Sequence, residues 1–475
     1  MPARVSWGFG GGLSEGQGRR YLDLYVEGQL SDLPRKSIGP MADAVGEPPR
    51  NLQQFLSLFR WDEQDVRDRA QQHVARRHSQ PHSVGVFDET SFLKKGEKTA
   101  CVQRQHCGAV GKLENCVVSV HLGYATPEFY TLLDGELYLP EETWHEDRQR
   151  CREAGIGDDV VYRPKWRIAL EQYHRAVGNG VRFAWLTFDE YYGRNGHFLR
   201  ELDPLGQDYV AEVPVNFMAW TRRPQVLYRR HQTDKRTGRR KRYPRLKVKN
   251  NPRVEVKNIL RYSPAMRRLK WHDYYVKDGS KGPMVWQVKH ITVYLADEHG
   301  LPGRPYHLLV ARSALDHEQV KYFISNAPPG TSTEILLRVA FTRWIIERAF
   351  EDGKNELGMD HFEVRKFCSI QRHLILSCLS HLFLSEFCLK YRGKKPADDR
   401  MSGSHGRRAA LSDLVSRRAL FPQVRRADSC AIGVNATAKQ QGRSQPSTPD
   451  NQAITRDRHK TKGRKKMSLE LLVAL

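Results

Sequence analysis

Apolar and polar residues follow two recurring patterns along this chain. Short apolar runs at 84–87 and 183–188 each end in an aspartate, Asp88 and Asp189, and such runs indicate buried strands. Between residues 331 and 357, apolar residues recur every three or four positions, which predicts a helix. Further predictions are a strand at 115–122, a helix at 166–177, and a segment at 128–139 that is either one strand or a hairpin containing Asp134-Gly135. Strands, a helix and a strand ending in aspartate predict an α/β sheet of mixed direction, flanked by helices.

These patterns divide the 475-residue chain into five predicted segments. In chain order they are a helical N-terminal region at 1–80, the first part of an α/β core at 81–205, a β-rich insertion at 206–328, the second part of the core at 329–393, and a basic low-complexity tail at 394–475. The insertion is inferred from β-like runs at 213–218, 254–259, 274–276, 284–294 and 306–312. The composition of the tail, rich in Arg, Lys, Ser, Gln and Gly, predicts disorder.

One apolar segment, at 371–391, approaches the length of a membrane span. Charged and histidine residues interrupt it, so a buried helix is predicted instead, and no membrane association is expected. The eight cysteines form no Cys-x-x-Cys pair, and no Cys/His spacing is typical of zinc. Without a signal peptide pattern, a reduced cytoplasmic protein is expected.

Positive charge is concentrated in two stretches. The formal net charge is +24, of which residues 228–249 contribute +10 and residues 394–475 contribute +11. A basic stripe on a nearly neutral body is typical of a protein that binds a phosphate backbone, so nucleic acid is the predicted partner. The alternative is a solvated surface without a ligand. The sequence leaves open whether the N-terminal helices bind DNA or pack on the core.

Three carboxylates are the candidate catalytic residues. Asp88 and Asp189 follow predicted strands, and Glu347 lies in the predicted helix. Ligand sites in open α/β sheets lie beyond the carboxyl ends of strands, so these acids are expected to meet. Carboxylates together bind divalent cations, and two such ions about 4 Å apart promote in-line attack on phosphodiesters. The alternative for each aspartate is a turn or capping role.

Arg343, Glu347 and Lys354 have spacings that place them on one stripe of the predicted helix. The stripe presents a carboxylate between two cations, suited to holding a metal beside the phosphates of a DNA strand. The alternative is weak ion pairing on a helix surface.

Several motifs together carry a family resemblance. The first runs from Phe87 to Gly96 (FDETSFLKKG) and continues through 104–116; the second is 186–193 (LTFDEYYG); the third is Arg343-Trp344-Ile345-Ile346-Glu347 with Lys354 and Gly358. In this order the chain resembles insertion-sequence DDE transposases that have a Tyr-x2-Arg-x3-Glu-x6-Lys signature and a β-rich insertion before the last acid. It departs from that signature at Ala340, where the family has tyrosine, so that contact is either lost or taken over by Phe341.

The resemblance implies an RNase H-like core in which Asp88, Asp189 and Glu347 hold two Mg²⁺ ions, with Mn²⁺ as a substitute. It implies cleavage at the terminal inverted repeats of a bacterial mobile element and joining of the 3′-hydroxyls to target DNA, by a homodimer on DNA. No covalent protein–DNA intermediate is implied. The repeat sequence, the target preference and the excision route are not predictable from the sequence.

The resemblance also supplies candidate DNA contacts. These are Arg343, Lys354, Lys94, Lys95, Arg194, the run Arg239, Arg240, Lys241 and Arg242, and Trp271 and Trp286 as possible stacking platforms for a flipped base. The alternatives are solvated charges for the cations and core packing for the tryptophans. Two other functions stay open: a decayed or domesticated copy that only binds DNA, and a hydrolytic nuclease on the same core.

Overall fold

The computed structural model describes residues 17–228, 244–248, 251–279 and 282–392. The predicted basic tail at 394–475 and the run Arg239–Arg242 lie outside these residues. Within the described ranges, helices flank a large sheet in which parallel and antiparallel strands occur together. The predicted mixed α/β architecture is therefore confirmed.

Ten of the described strands form one sheet, and two short pairs lie apart from it. The strands are β1 (Val84–Leu93), β2 (Gln103–Cys107), β3 (Lys112–Ala125), β4 (Tyr130–Leu137), β5 (Trp185–Phe188), β6 (Tyr209–Val213), β7 (Met218–Ala219), β8 (Val226–Leu227), β9 (Arg245–Leu246), β10 (Val254–Glu255), β11 (His272–Gly279), β12 (Gly282–Ala296), β13 (Pro302–Ser313) and β14 (Val320–Ser325). The order in the main sheet is β11-β12-β13-β14-β6-β5-β1-β3-β2, and β4 also pairs with β3.

Strand β1 continues past the aspartate that was predicted to end it. Its parallel partner β5 stops at Phe188, opposite Phe87, but its antiparallel partner β3 pairs with it as far as Leu93. The backbone groups after Asp88 therefore stay hydrogen-bonded on one side. A short apolar run marks the part of a strand that is buried on both faces, and it underestimates the strand's length.

The segment Asp134-Gly135 lies within β4, so the single strand is correct and the hairpin turn is wrong. Gly135 lies opposite His121, and a Cβ at this glycine would come within 2.4 Å of the His121 ring. Glycine is therefore needed here for close packing between strands, not for a turn.

The segment predicted as a β-rich insertion contains both strands and helices. Strands β11 to β14 continue the main sheet through the pairing of β14 with β6. The predicted strand at 254–259 is wrong over most of its length, because α9 begins at Val256. Two β-branched residues at alternate positions suggested a strand, but Val256 and Ile259, three residues apart, are both buried on one face of the helix.

Helices cover the sheet and form the N-terminal region. They are α1 (Gln17–Leu30), α2 (Ile38–Ala44), α3 (Pro49–Ser57), α4 (Glu63–Arg77), α5 (Arg148–Glu153), α6 (Lys165–Gly178), α7 (Glu190–Gly193), α8 (Gly196–Leu202), α9 (Val256–Tyr262), α10 (Pro264–Arg268), α11 (Thr333–Thr342), α12 (Trp344–Asn355) and α13 (Phe367–Arg392). Helices α1, α3 and α4 pack against α13. The N-terminal region thus contacts the helix that lies on β4.

Helix α13 is the apolar segment that resembles a membrane span in length. It is long and apolar enough to cross a membrane, but 89% of its most apolar window is buried inside the protein. Core helices of this kind satisfy the same test of length and composition.

The predicted helix at 331–357 is divided in two at Arg343. The Ser332 side chain caps α11 by accepting a hydrogen bond from the Ile335 amide. After α12, Gly358 has a φ of +67°, the left-handed conformation that favours glycine beyond a helix end. Ile346 and Phe350 of α12 are buried, which fixes the rotation of this helix on the core.

A buried ion network joins α4, β4 and α6. The Asp134 carboxylate, which is fully buried, lies 2.9 Å from Arg67 Nε and 2.8 Å from Arg175 Nε. It also accepts hydrogen bonds from the Gly135 amide and the Gln71 side chain. Two cations and two neutral donors therefore satisfy one acid.

We expect Asp134→Asn to lower the free energy of unfolding by about 3–5 kcal/mol, because it leaves the buried Arg67 guanidinium without its anion and leaves Arg175 with Glu136 alone. Urea denaturation measures the effect. The matched control is Asp65→Asn, which breaks the half-exposed pair with Arg69 and should cost about 1 kcal/mol or less. Equal effects of the two substitutions would show that the Asp134 network stabilises the fold no more than a half-exposed ion pair does.

Candidate active site

Strand register places three acids side by side at one edge of the parallel strands. Phe87 of β1 pairs with Phe188 of β5, and Phe188 pairs with Ala211 of β6. The next residue on each strand is an acid: Asp88, Asp189 and Glu212. Adjacent strands are about 4.8 Å apart, so the three carboxylates start from neighbouring positions.

Asp189 is held at the start of a short helix. Its Oδ1 accepts hydrogen bonds from the Tyr191 amide at 3.0 Å and the Tyr192 amide at 3.4 Å, which makes it the N-cap of α7. Helix α7 lies very close to β6, because a Cβ at Gly193 would be 1.9 Å from the Glu212 carbonyl oxygen. Gly193 therefore permits the approach that fixes Asp189. Asp189 is thus both the N-cap of α7 and a candidate catalytic residue.

Arg343 joins the acids of the sheet to Glu347. Its Nη1 lies 3.3 Å from Asp88 Oδ2, its Nη2 lies 2.8 Å from Glu347 Oε1, and its Nε lies 3.7 Å from Glu212. The break between α11 and α12 places Arg343 at this point. The structure therefore brings Asp88, Glu347 and Arg343 together, as the sequence predicts for the acids, with the guanidinium between them.

The two aspartates are in an electrostatically unfavourable environment. Burial raises the pKa of Asp88 to about 7, and the charge of Asp189 adds to the rise, while Arg343 and the Glu89 amide act against it. Burial also raises the pKa of Asp189, and the charge of Glu89 contributes. The raised pKa values indicate that nearby positive charge does not fully stabilise the ionised forms of these carboxyl groups. A bound cation would supply that charge.

The donor set fits a hard divalent cation. The nearby acids offer only carboxylate oxygens, the ligands that Mg²⁺ and Mn²⁺ prefer. One of these oxygens, Glu89 Oε2, is buried and has no hydrogen-bond partner in the described part of the protein. The Glu347 side chain is 57% exposed, so one side of the cluster is open to an incoming ligand.

Sequence reasoning missed two acids and two lysines at this site. Glu89 forms an ion pair with Lys165 at 2.5 Å, and its charge contributes to the raised pKa of Asp189. Glu212 also pairs with Lys321. The signal for Glu89 is its position directly after Asp88, but Glu212 is brought level with Asp189 by strand pairing that the local sequence does not reveal.

The predicted lysine contacts differ in what they touch. Lys354 is partly buried, and its Nζ donates to the Ser91 carbonyl at 3.1 Å. Lys94 donates to the Phe362 carbonyl at 2.8 Å, and burial lowers its pKa to about 8. Lys95 and Arg194 are exposed, and the Arg194 guanidinium lies 5.3 Å from the Tyr191 ring. Lys95 and Arg194 are therefore the more accessible of these cations.

The two candidate stacking tryptophans have different surroundings. Trp286 is 5% exposed and packs on Phe341 with ring centroids 4.9 Å apart. Trp271 is partly exposed and lies 4.2 Å from the Arg312 guanidinium and 5.0 Å from Lys289 Nζ. Ala340, at the signature tyrosine position, is buried. Trp271 is therefore the tryptophan with both a cationic setting and an accessible surface.

Comparison with known proteins gives a matching family model and a similar protein. A family model described as DDE superfamily endonuclease matches residues 9–283, a span that includes Asp88 and Asp189 and ends before Glu347. A protein from Microchaete diplosiphon, described as a probable transposase for insertion sequence element IS701, is 25% identical over 369 residues. The match covers 76% of this chain and 80% of that protein.

We expect Asp189→Asn to stabilise the metal-free protein at pH 8 by about 1 kcal/mol, because a raised pKa means that the charged form is unfavourable in the fold. Asparagine keeps the capping geometry. Thermal denaturation in a chelator tests this. The matched control is Asp62→Asn at the N-cap of α4, where little change is expected. A destabilised Asp189→Asn protein would contradict the electrostatic account.

We also expect divalent cation binding to strengthen as pH rises from 6 to 8. The raised pKa of Asp88 means that this carboxyl is protonated below about pH 7 in the metal-free fold, and the proton must leave before the oxygen binds a cation. Affinity for Mn²⁺, measured by calorimetry, should rise by about tenfold per pH unit below 7 and then level off. Asp88→Asn should remove this dependence. An affinity that stays constant across the range would show that Asp88 is not a ligand.

Proposed function

The chain belongs to the DDE superfamily of endonucleases, and from this premise we propose that it is an insertion-sequence transposase whose Asp88, Asp189 and Glu347 catalyse DNA strand cleavage and joining. The observation that carries the proposal is the apposition of Asp88 and Asp189 where the parallel pairing of β1 and β5 ends, with Arg343 linking Asp88 to Glu347. The similarity to the IS701 transposase covers most of both chains and supports the substrate class.

Strand order supports an RNase H-like core. Strands β4, β3 and β1 are consecutive antiparallel neighbours, and β5 and β6 follow in parallel to β1. In this arrangement the first acid lies within the central strand and the second follows the adjacent parallel strand. The buried face of helix α12 packs on the core. Its other face carries the third acid, Glu347, which would therefore lie at the same edge of the sheet.

Asp88, Asp189 and Glu347 would hold two divalent cations, Mg²⁺ or Mn²⁺. When bound, such ions activate water or a 3′-hydroxyl for attack on a phosphodiester and stabilise the leaving oxygen. Asp189 is oriented for this role by the α7 amides, and Asp88 by the Glu89 amide at 2.8 Å. No activated Ser, Tyr or Cys is required, because the attacking oxygen comes from water or DNA.

Arg343 would serve the site both without and with substrate. Without a cation it neutralises Asp88 and Glu347. Its five N–H donors also match phosphate oxygens, so it would bind the DNA backbone when the carboxylates hold metal. Lys354 donates a hydrogen bond to the Ser91 carbonyl of β1. It would contact the same DNA strand as Arg343.

DNA is the proposed partner, specifically the terminal inverted repeats of the element and the target site. The basic stretch at 228–249 and the exposed cations Lys95 and Arg194 would contact phosphates, so binding should weaken steeply with salt. Trp271 would be the stacking platform for a displaced base. Two ends must be held together during transfer, which calls for a homodimer on DNA in the bacterial cytoplasm.

One observation favours a DNA-binding copy without catalysis as a second candidate. The signature tyrosine is replaced by the buried Ala340, and Phe341 packs on Trp286 and Phe323. Neither residue supplies a phenol hydroxyl at this position. A hydrolytic nuclease on the same core is distinguished by its products, because it cuts ends but never joins them.

We expect Asp88→Asn, Asp189→Asn and Glu347→Gln each to lower strand cleavage by about 10³-fold, since a lost metal ligand removes several kcal/mol of transition-state stabilisation. DNA affinity should stay within a fewfold of wild type. The measurement uses purified protein, Mg²⁺ and labelled DNA carrying the element's own ends. Cleavage at the element boundary followed by joined products supports a transposase.

The matched control for Glu347→Gln is Glu351→Gln, one turn further along α12. Glu351 is exposed and pairs with Arg348. Its substitution should leave cleavage unchanged. Normal cutting by any of the three acid variants would remove that residue from the site. Binding without cleavage by the wild type would favour the DNA-binding copy, and Ala340→Tyr would then test the lost hydroxyl.

A further inference from the structure

Two histidines and a glutamate meet where α4 ends beside α13. His73 lies in the last part of α4, His78 caps its C-terminus, and Glu386 lies near the end of α13. His73 Nε2 is 2.6 Å and His78 Nε2 is 2.8 Å from the same oxygen, Glu386 Oε1. All three side chains are buried, with exposed fractions of 1%, 10% and 5%. Their ligand atoms all lie within 4.8 Å of one another.

The rings are held in place by contacts outside the cluster. The His78 ring stacks on Phe129 with centroids 3.8 Å apart and planes 2° from parallel. The His78 carbonyl accepts a hydrogen bond from the Tyr124 hydroxyl at 2.7 Å, and its amide donates to the Val74 carbonyl. The direction of the His78 nitrogen is therefore fixed by packing and hydrogen bonds that do not involve Glu386.

The charge of the cluster favours a cation. Burial alone would raise the pKa of Glu386, but hydrogen bonds from His73 and His78 outweigh it and lower the pKa to about 2. The glutamate is thus an anion in a low-dielectric setting. If both imidazoles are neutral, the cluster carries one net negative charge, which buried sites neutralise with a proton or a metal.

We propose that His73 Nε2, His78 Nε2 and Glu386 Oε1 form a binding site for a borderline divalent transition metal of the Zn²⁺ class, which ties α4 to α13. Imidazole nitrogens suit Zn²⁺ and not Mg²⁺, so this site differs in chemistry from the all-carboxylate site. Two histidines and one glutamate are a known ligand set for zinc, with water as a fourth ligand. This site does not depend on the proposed transposase activity.

One part of this site is visible in the sequence, because His73 and His78 are separated by four residues, a spacing found in zinc sites. The prediction that no Cys/His spacing suits zinc overlooked this pair. Glu386 is contributed from more than 300 residues away along the chain and is not predictable from local spacing. The competing arrangement is a hydrogen-bonded triad, with a proton on each Nε2 and Glu386 accepting both. Zinc bound at both Nε2 atoms would require each imidazole to carry its proton on Nδ1, and the two arrangements therefore differ in measurable metal content.

The first test is zinc binding by the full-length wild-type protein. The protein is treated with chelator, incubated with Zn²⁺, freed of unbound metal by gel filtration and analysed for zinc. We expect about one zinc per chain, as for a single site with three protein ligands and one water. Replacement by Co²⁺ should give the intense visible absorption of a four- or five-coordinate ion. A wild-type protein that retains no zinc and shows only the spectrum of hydrated Co²⁺ would overturn the proposal.

Substitutions of the proposed ligands test whether the bound ion lies in this cluster. Glu386→Gln and His78→Gln should lose the retained zinc and the Co²⁺ absorption. His82→Gln, at an exposed histidine in the loop after α4, and Asp189→Asn, at the carboxylate site, should keep both. Retention of zinc by folded Glu386→Gln and His78→Gln would overturn the assignment. If one variant does not fold, His73→Gln is measured in its place against the same controls.

Discussion

Repulsion between carboxylates on adjacent parallel strands is the constraint on which this site depends. Strand pairing fixes Asp88, Asp189 and Glu212 at one level of the sheet, so their backbones cannot separate without breaking hydrogen bonds. Burial makes the repulsion stronger, because water no longer screens the charges. The Arg343 guanidinium offsets part of it by contacting Asp88 and Glu212. A divalent cation would act on the same imbalance, which couples metal binding to the stability of the fold.

Another buried acid, Asp134, has a different set of partners. Asp134 is as deeply buried as any residue in the sheet, yet two arginines and two neutral donors satisfy it. These partners, all supplied by the protein itself, balance the Asp134 charge. At the carboxylate edge, by contrast, Arg343 is shared among several acids and a Glu89 oxygen is left without a partner. The contrast supports a functional assignment for the second cluster and a structural one for the first.

Local sequence was enough to predict part of the fold and site. The apolar runs before Asp88 and Asp189 predicted β1 and β5, and the apolar spacing between residues 331 and 357 predicted the helical segment that contains α11 and α12. The break at Arg343, the level position of Glu212 and the helix at α9 were not predictable. Each depends on which distant segment supplies the hydrogen bonds or the buried surface, and apolar spacing does not encode that choice.

The chemical nature of the partner distinguishes the buried acids from one another. Arginine does not lose its proton in proteins, so the network around Asp134 is permanently closed. A neutral imidazole is able to carry its proton on Nδ1 instead of Nε2, so His73 and His78 would present both Nε2 atoms to one divalent ion without a change in backbone position. Arg343 cannot be deprotonated either, and a cation among Asp88, Asp189 and Glu347 therefore requires the guanidinium to turn away from the carboxylates. The phosphates of bound DNA would then accept hydrogen bonds from the Arg343 guanidinium. Metal binding and substrate binding would therefore be cooperative at this site.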